Sequence, residues 1–103
     1  MDVQLKRGML DAFVLKLLTR GDSYGYQLSQ DAAQTVSLSE SALYPVLKRL
    51  ETGGGVESYT QEYGGRLRRY YRITEAGYRQ IDAFLQEWEE IRKIYDFIRE
   101  EQP

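Results

Sequence analysis

Two clusters hold the side chains best suited to chemistry. The first is Arg66, Arg68, Arg69 and Arg72, four guanidiniums within seven residues beside the pair Gly64-Gly65. The second is Ser39, Ser41, Tyr44, Lys48 and Arg49, in which short hydroxyls and an aromatic precede two cations. Guanidiniums clamp phosphates or enter a narrow minor groove, while hydroxyls, a phenol and an ammonium suit base edges and phosphates. Both clusters therefore point to double-stranded DNA as the partner. The plain alternatives are a solvated helix face for the second cluster and a strand edge protected against aggregation for the first.

Composition narrows the remaining classes. A chain of 103 residues has room for one domain with one modest core. It contains no Cys and no His, which removes thiol and imidazole chemistry, the usual zinc ligands and any disulfide framework. Catalysis would then need paired carboxylates in a pocket, and most acids here fall on surfaces or in the tail, so neither an enzyme nor a bound cofactor or metal is expected. No run approaches the apolar length of a membrane span, and the N-terminus lacks a signal-peptide core; the expectation is a soluble, cytoplasmic protein with no membrane partner. Net charge is −2, but it is unevenly spread: residues 1–40 sum to −1, 41–72 to +3 and 73–103 to −4. Local potential decides where phosphates bind, and the positive segment contains both clusters.

The elements that must position these residues follow from periodicity. Leu43, Val46, Leu47 and Leu50 recur at i, i+3, i+4 and i+7, which predicts an amphipathic helix over Leu38–Glu51 with Ser39 as its N-cap. Ser41, Tyr44, Lys48 and Arg49 then occupy its outer face. Pro45 lies inside this helix and is expected to bend it or loosen its first turn rather than stop it. Residues 24–34 predict a shorter helix, capped by Asp22 or Ser23, with the link Thr35–Leu38 completing a helix-turn-helix. Residues 3–19 predict a helix with two apolar stripes, Leu10, Val14, Leu17 and Leu18 beside Leu5, Met9, Ala12 and Phe13. One stripe suits the core, and the other needs the last helix or a second subunit.

Gly53-Gly54-Gly55 ends the Leu38–Glu51 helix, and the β-prone runs Val56–Glu62 and Arg66–Ile73 around Tyr63-Gly64-Gly65 predict a hairpin. On the second run, Leu67, Arg69, Tyr71 and Ile73 share one face and Arg66, Arg68, Tyr70 and Arg72 the other. Thr74 caps a last helix in which Ile81, Trp88 and Tyr95 are spaced by sevens, as are Phe84, Ile91 and Ile98. These are heptad a and d positions. A helix from Glu75 to Glu101 would run about 40 Å, more than a small domain can cover, so pairing across a two-fold axis in a homodimer is expected.

Helix, helix-turn-helix, Arg-rich hairpin and long helix form the order of a winged helix with a dimerisation helix. In detail the chain resembles the PadR family of bacterial transcriptional regulators. The resemblance rests on Gly21-Asp22-Ser23-Tyr24-Gly25-Tyr26, on Leu43-Tyr44-Pro45-Val46-Leu47-Lys48-Arg49-Leu50-Glu51 and on Val56-Glu57-Ser58. Gly64-Gly65-Arg66, Arg69-Tyr70-Tyr71-Arg72-Ile73-Thr74-Glu75-Ala76-Gly77 and Trp88 continue it across essentially the whole chain. It implies a mainly α fold with a small β-hairpin, in which residues 1–73 form a winged helix-turn-helix DNA-binding domain and 74–103 a C-terminal dimerisation helix. It further implies a homodimeric repressor on a palindromic operator, and the short length and single C-terminal helix resemble the compact branch of the family, whose best-known members control multidrug transporters. In that branch a tryptophan of the last helix stacks on planar ligands within the dimer. Trp88 stands at that position, with Phe84, Leu85, Leu5, Asp11 and Ala12 as the walls of a site for a small aromatic ligand. A winged-helix module for protein contacts alone, without ligand response, is the alternative. Two departures stand out: Gly55 replaces a Leu or Ile at the start of the first wing strand, and Arg92 replaces an acidic residue carried by multidrug-binding relatives.

Overall fold

The structure, a computed structural model, describes residues 3–101, with side chains from Lys6 to Glu101. Its spine is helix α1 (Val3–Leu18), around which α2 (Gly25–Ala32) and α3 (Glu40–Thr52) pack. Val14, Leu15 and Leu18 of α1 meet Leu28 and Ala32 of α2 and Leu43, Val46, Leu47 and Leu50 of α3 in one core. Burying each of these leucines contributes about 2 kcal/mol. All four positions of the α3 stripe are buried, as the spacing requires. Leu15 belongs to neither stripe read on α1, yet it is fully buried, because neighbouring elements enclose α1 over a wider arc than one stripe spans.

Local chemistry sets the helix ends. The Ser39 hydroxyl accepts from the Ala42 N–H at 3.2 Å, capping α3 as expected, and the helix continues unbroken through Pro45. At its far end the Gly54 and Gly55 N–H groups donate back to Glu51 and Leu50 at 3.1 and 2.9 Å, with Gly54 at φ 84°. That is the left-handed termination glycine favours. Two details between α1 and α3 depart from the sequence reading. Neither Asp22 nor Ser23 caps α2; Ser23 and Tyr24 instead form a short strand, β1. In addition, α2 stops at Ala32, so residues 33–39 form the connection to α3, stitched where the Ser29 hydroxyl donates to the Leu38 carbonyl at 2.7 Å.

Strands β2 (Val56–Tyr63) and β3 (Arg66–Ile73) pair antiparallel, with Tyr63 opposite Arg66. Gly64 and Gly65 between them have φ of 59° and 82°, the two positive values that a tight two-residue hairpin turn requires. β1 joins the free edge of β3, giving the order β1-β3-β2. The inner face is buried only at its base, through Val56 and Tyr71, while Leu67 near the tip is exposed. The hairpin is thus a projecting wing.

Helix α4 (Glu75–Arg99) begins on the Thr74 hydroxyl, which accepts from the Gly77 N–H at 3.1 Å. Thr74 also donates its backbone N–H to the Gly55 carbonyl at 3.0 Å and its hydroxyl to the Gly54 carbonyl at 2.7 Å, locking the end of α3 to the start of α4. Gly77 lies against Gly55, where a Cβ would fall 2.6 Å from Ile73 Cγ1 and 3.1 Å from Leu15 Cδ2. Ile81 packs on the common core, so the start of α4 shares the core that α1, α2, α3 and the base of the wing build. Further along, Trp88, Ile91, Ile94, Tyr95, Phe97 and Ile98 are exposed. The molecule measures 68 × 26 × 22 Å, its length set by this helix leaving the domain.

Candidate nucleic-acid interface

The buried stripe of α3 turns Ser41, Tyr44, Pro45 and Lys48 to the surface, beside the inner face of the wing. Between helix and wing lies an open groove of about 540 Å³, with Tyr26, Glu40 and Tyr44 on one side and Leu67, Arg68 and Arg69 on the other. The Tyr44 hydroxyl donates to the Glu40 carboxylate at 3.3 Å, one turn away. Burial, reinforced by the Glu40 charge, raises the Tyr44 pKa, which keeps the phenol a neutral donor. Gly25 leaves the space that Tyr44 fills, since a Cβ there would come within 3.0 Å of the Tyr44 hydroxyl oxygen.

The two clusters divide into free and committed cations. Among the described residues Lys48, Arg66 and Arg68 make no ion pair. Arg68 lies over the Tyr24 and Tyr63 rings, 4.0 and 4.4 Å from their centres, on a wing face where Tyr59 and Tyr70 stack at 5.6 Å. That aromatic support stiffens a strand that has no core on this side. Arg49, expected on the outer face, is instead turned to α1, where its Nη2 pairs with Asp11 Oδ1 at 2.5 Å and ties the two helices together. Arg69 is held by Glu51, and Ser39 is engaged as the cap, with its oxygen 3.2 Å from that of Ser41. Reading the outer face from residue types alone missed Tyr26, Glu40 and Leu67. The i, i+4 spacing of Glu40 and Tyr44 was the one signal that could have found the acid.

The residues expected to hold a ligand are only partly gathered. Ala12, Phe84 and Leu85 line a groove of about 350 Å³ between α1 and α4, together with Met9 and Phe13. Trp88 stacks on Phe84 with ring centres 6.2 Å apart and lines a separate groove of about 490 Å³ with Ile91, Arg92, Tyr95 and Asp96. Asp11 lines neither groove, because its carboxylate is taken by Arg49. The Leu5 side chain lies outside the described ones. Of the heptad series, Ile81 and the half-buried Phe84 serve the chain's own domain, whereas Trp88, Ile91, Tyr95 and Ile98 stand free. Among the described residues no helix is long and apolar enough to cross a membrane.

Comparison with known proteins agrees with this architecture. An uncharacterised protein of Lysinibacillus sphaericus is 35% identical over 99 residues, covering 91% of both chains. A transcriptional regulator from Clostridium thermocellum superposes with a TM-score of 0.80 at 33% identity, over 97% of this chain and 99% of the other. A PadR family transcriptional regulator from Eggerthella lenta gives 0.83 at 31% identity, over 97% and 89%. Residues 14–83, from the α1 core through the helix-turn-helix and wing into α4, match the transcriptional regulator PadR-like family. The chain belongs to that family, and is a winged-helix transcriptional regulator rather than an enzyme.

Proposed function

We propose that the protein is a homodimeric repressor that binds a palindromic DNA operator, with α3 in the major groove and the wing on the flanking backbone or minor groove. The observation that carries this reading is the open groove between Tyr44 and the wing, lined by Arg68, with Lys48 exposed on the same helix and Arg66 exposed on the same strand, none of the three in an ion pair among the described residues. Lys48, Arg66 and Arg68 supply phosphate contacts, and Ser41 and Tyr44 reach base edges. Dimerisation falls to the exposed apolar half of α4, Trp88, Ile91, Tyr95 and Ile98, because a lone helix with that face would leave large aromatic and aliphatic groups in water. A planar apolar ligand stacking on Trp88 and Phe84 beside this interface would act as the effector that releases DNA. Selection of duplexes from a random pool by the full-length protein tests the reading. It should enrich an inverted repeat whose half-site centres are about 34 Å apart or a multiple of that, occupied by two chains in sedimentation. An unenriched pool, or a monomer on a single half-site, would contradict it.

A further inference from the structure

The wing is a two-stranded ribbon beyond its buried base, and Thr60, Leu67 and the turn are exposed. A ribbon of that kind pivots at its root unless something braces it. On the outer face Tyr59 donates its hydroxyl to Asp22 at 2.7 Å and Arg68 lies over Tyr24, while on the inner face, toward the recognition helix, the brace is Glu51 in the last turn of α3. Its carboxylate receives Arg69 Nη2 of β3 at 3.0 and 3.1 Å and also accepts the hydroxyl of Ser58 on β2. Arg69 Nη2 donates to that same hydroxyl oxygen at 2.8 Å, so Ser58 gives one hydrogen bond and takes another. The three side chains form a closed ring across α3, β2 and β3. Arg69 pairs with Thr60, three rungs from the Tyr63–Arg66 rung at the turn. At about 3.3 Å per residue the tip lies roughly 10 Å further out, so a small rotation at the ring is enlarged at Arg66, three rungs away, and shifts Arg68, one rung away, by less.

We propose that Glu51 is a positioning residue for DNA recognition: through Arg69 and Ser58 it sets the angle between the recognition helix and the wing. Arg69 is on this account a strut and not a phosphate contact. The Ser58 hydroxyl bond, with Arg69 adding to it, holds the Glu51 carboxyl below the usual carboxylate range, so the ring is ionised at neutral pH. The inference rests on the DNA-binding reading above, and its test separates the two.

Removing an anion from a DNA-facing surface ordinarily strengthens binding, whereas loosening a strut weakens it. The sign of Glu51→Gln therefore decides. The full-length protein is titrated onto its selected palindrome and onto a scrambled duplex of equal length. Glu51→Gln should lose about tenfold on the palindrome and less on the scrambled duplex, where α3 is not seated on base edges and the wing's phosphate contacts are not held to one register. Arg69→Ala should lose a similar factor, and the double variant no more than either alone. In an Arg66→Ala/Arg68→Ala background, where the wing has no tip contacts to place, Glu51→Gln should have no further effect; a general loss of fold would reduce binding in both backgrounds. Tighter binding to both duplexes by Glu51→Gln, additive losses in the double variant, or an undiminished effect without the wing arginines would overturn the proposal. Should Glu51→Gln fail to fold, Ser58→Ala and Arg69→Ala carry the same comparison. If Lys48→Ala and Arg66→Ala also leave palindrome binding untouched, the DNA-binding reading itself fails, and the role of Glu51 with it.

Discussion

Gly77→Ala sets two effects of known size against each other. Gly77 is in the first turn of α4, and alanine in a helix is favoured over glycine by about 1 kcal/mol. Against this, the new Cβ would sit 2.6 Å from Ile73 Cγ1 and 3.1 Å from Leu15 Cδ2, and would press on the Gly55 carbonyl oxygen. Backbone cannot swing aside as a side-chain tip can. Overpacking of this kind costs about 1–3 kcal/mol, and opening the gap also strains the Thr74 to Gly55 hydrogen bond, at 3.0 Å, by up to about 1 kcal/mol. The net expectation is about 2 kcal/mol of destabilisation, a drop in Tm of about 8–16 °C for a domain of this size. Gly8→Ala is the matched control. Its Cβ would meet only Phe84 Cδ2, at 4.0 Å, so the helix preference should prevail and raise Tm by about 5 °C. Circular dichroism melts at one protein concentration read both. A Gly77→Ala variant melting at or above wild type would refute the claim that the α3–α4 junction is a rigid backbone contact.

Three further outcomes follow from the same geometry. Gly25→Ala places a Cβ 3.0 Å from the Tyr44 hydroxyl oxygen and 3.3 Å from Cζ, so the ring must move; operator affinity should fall about tenfold, the worth of one misplaced base contact, with scrambled DNA unaffected in a band-shift titration. Ile91→Asp puts a charge into the exposed apolar half of α4 and should give monomers by light scattering; a dimeric variant would move the interface to α1. Trp88 is the sole tryptophan, so its fluorescence reports the α4 grooves directly. Planar aromatic ligands should quench it at concentrations on the order of micromolar, and Trp88→Ala should abolish ligand release of DNA while dimer and operator binding persist.

What the sequence made legible was local. The 43, 46, 47, 50 stripe, the Ser39 and Thr74 caps and the Gly64-Gly65 turn each depend on neighbours a few residues away, and the structure has all of them. The parts that escaped depend on distant chain. Strand β1 exists only because Ser23 and Tyr24 find Tyr71 and Tyr70, and a two-residue run has no period to read. Arg49 has the type and spacing of a phosphate contact, but a carboxylate 38 residues earlier, on α1, claims it. Arg69 likewise answers to Glu51, 18 residues back, so an apparent cluster of free guanidiniums is partly internal structure. Periodicity places a side chain on a face; which charged group meets it there is settled by packing.

The central claim, that α3 and the wing together form a DNA-binding surface used twice in a dimer, reduces to the salt dependence of binding to the selected palindrome. Lys48, Arg66 and Arg68 from two protomers would make six phosphate contacts, and at about −0.9 each the log–log slope of affinity against salt should be about −5. Lys48→Ala should make it shallower by nearly 2 units, one contact from each protomer at about 0.9 apiece. A wild-type slope near zero, or one that Lys48→Ala and Arg66→Ala leave unchanged, would contradict the account.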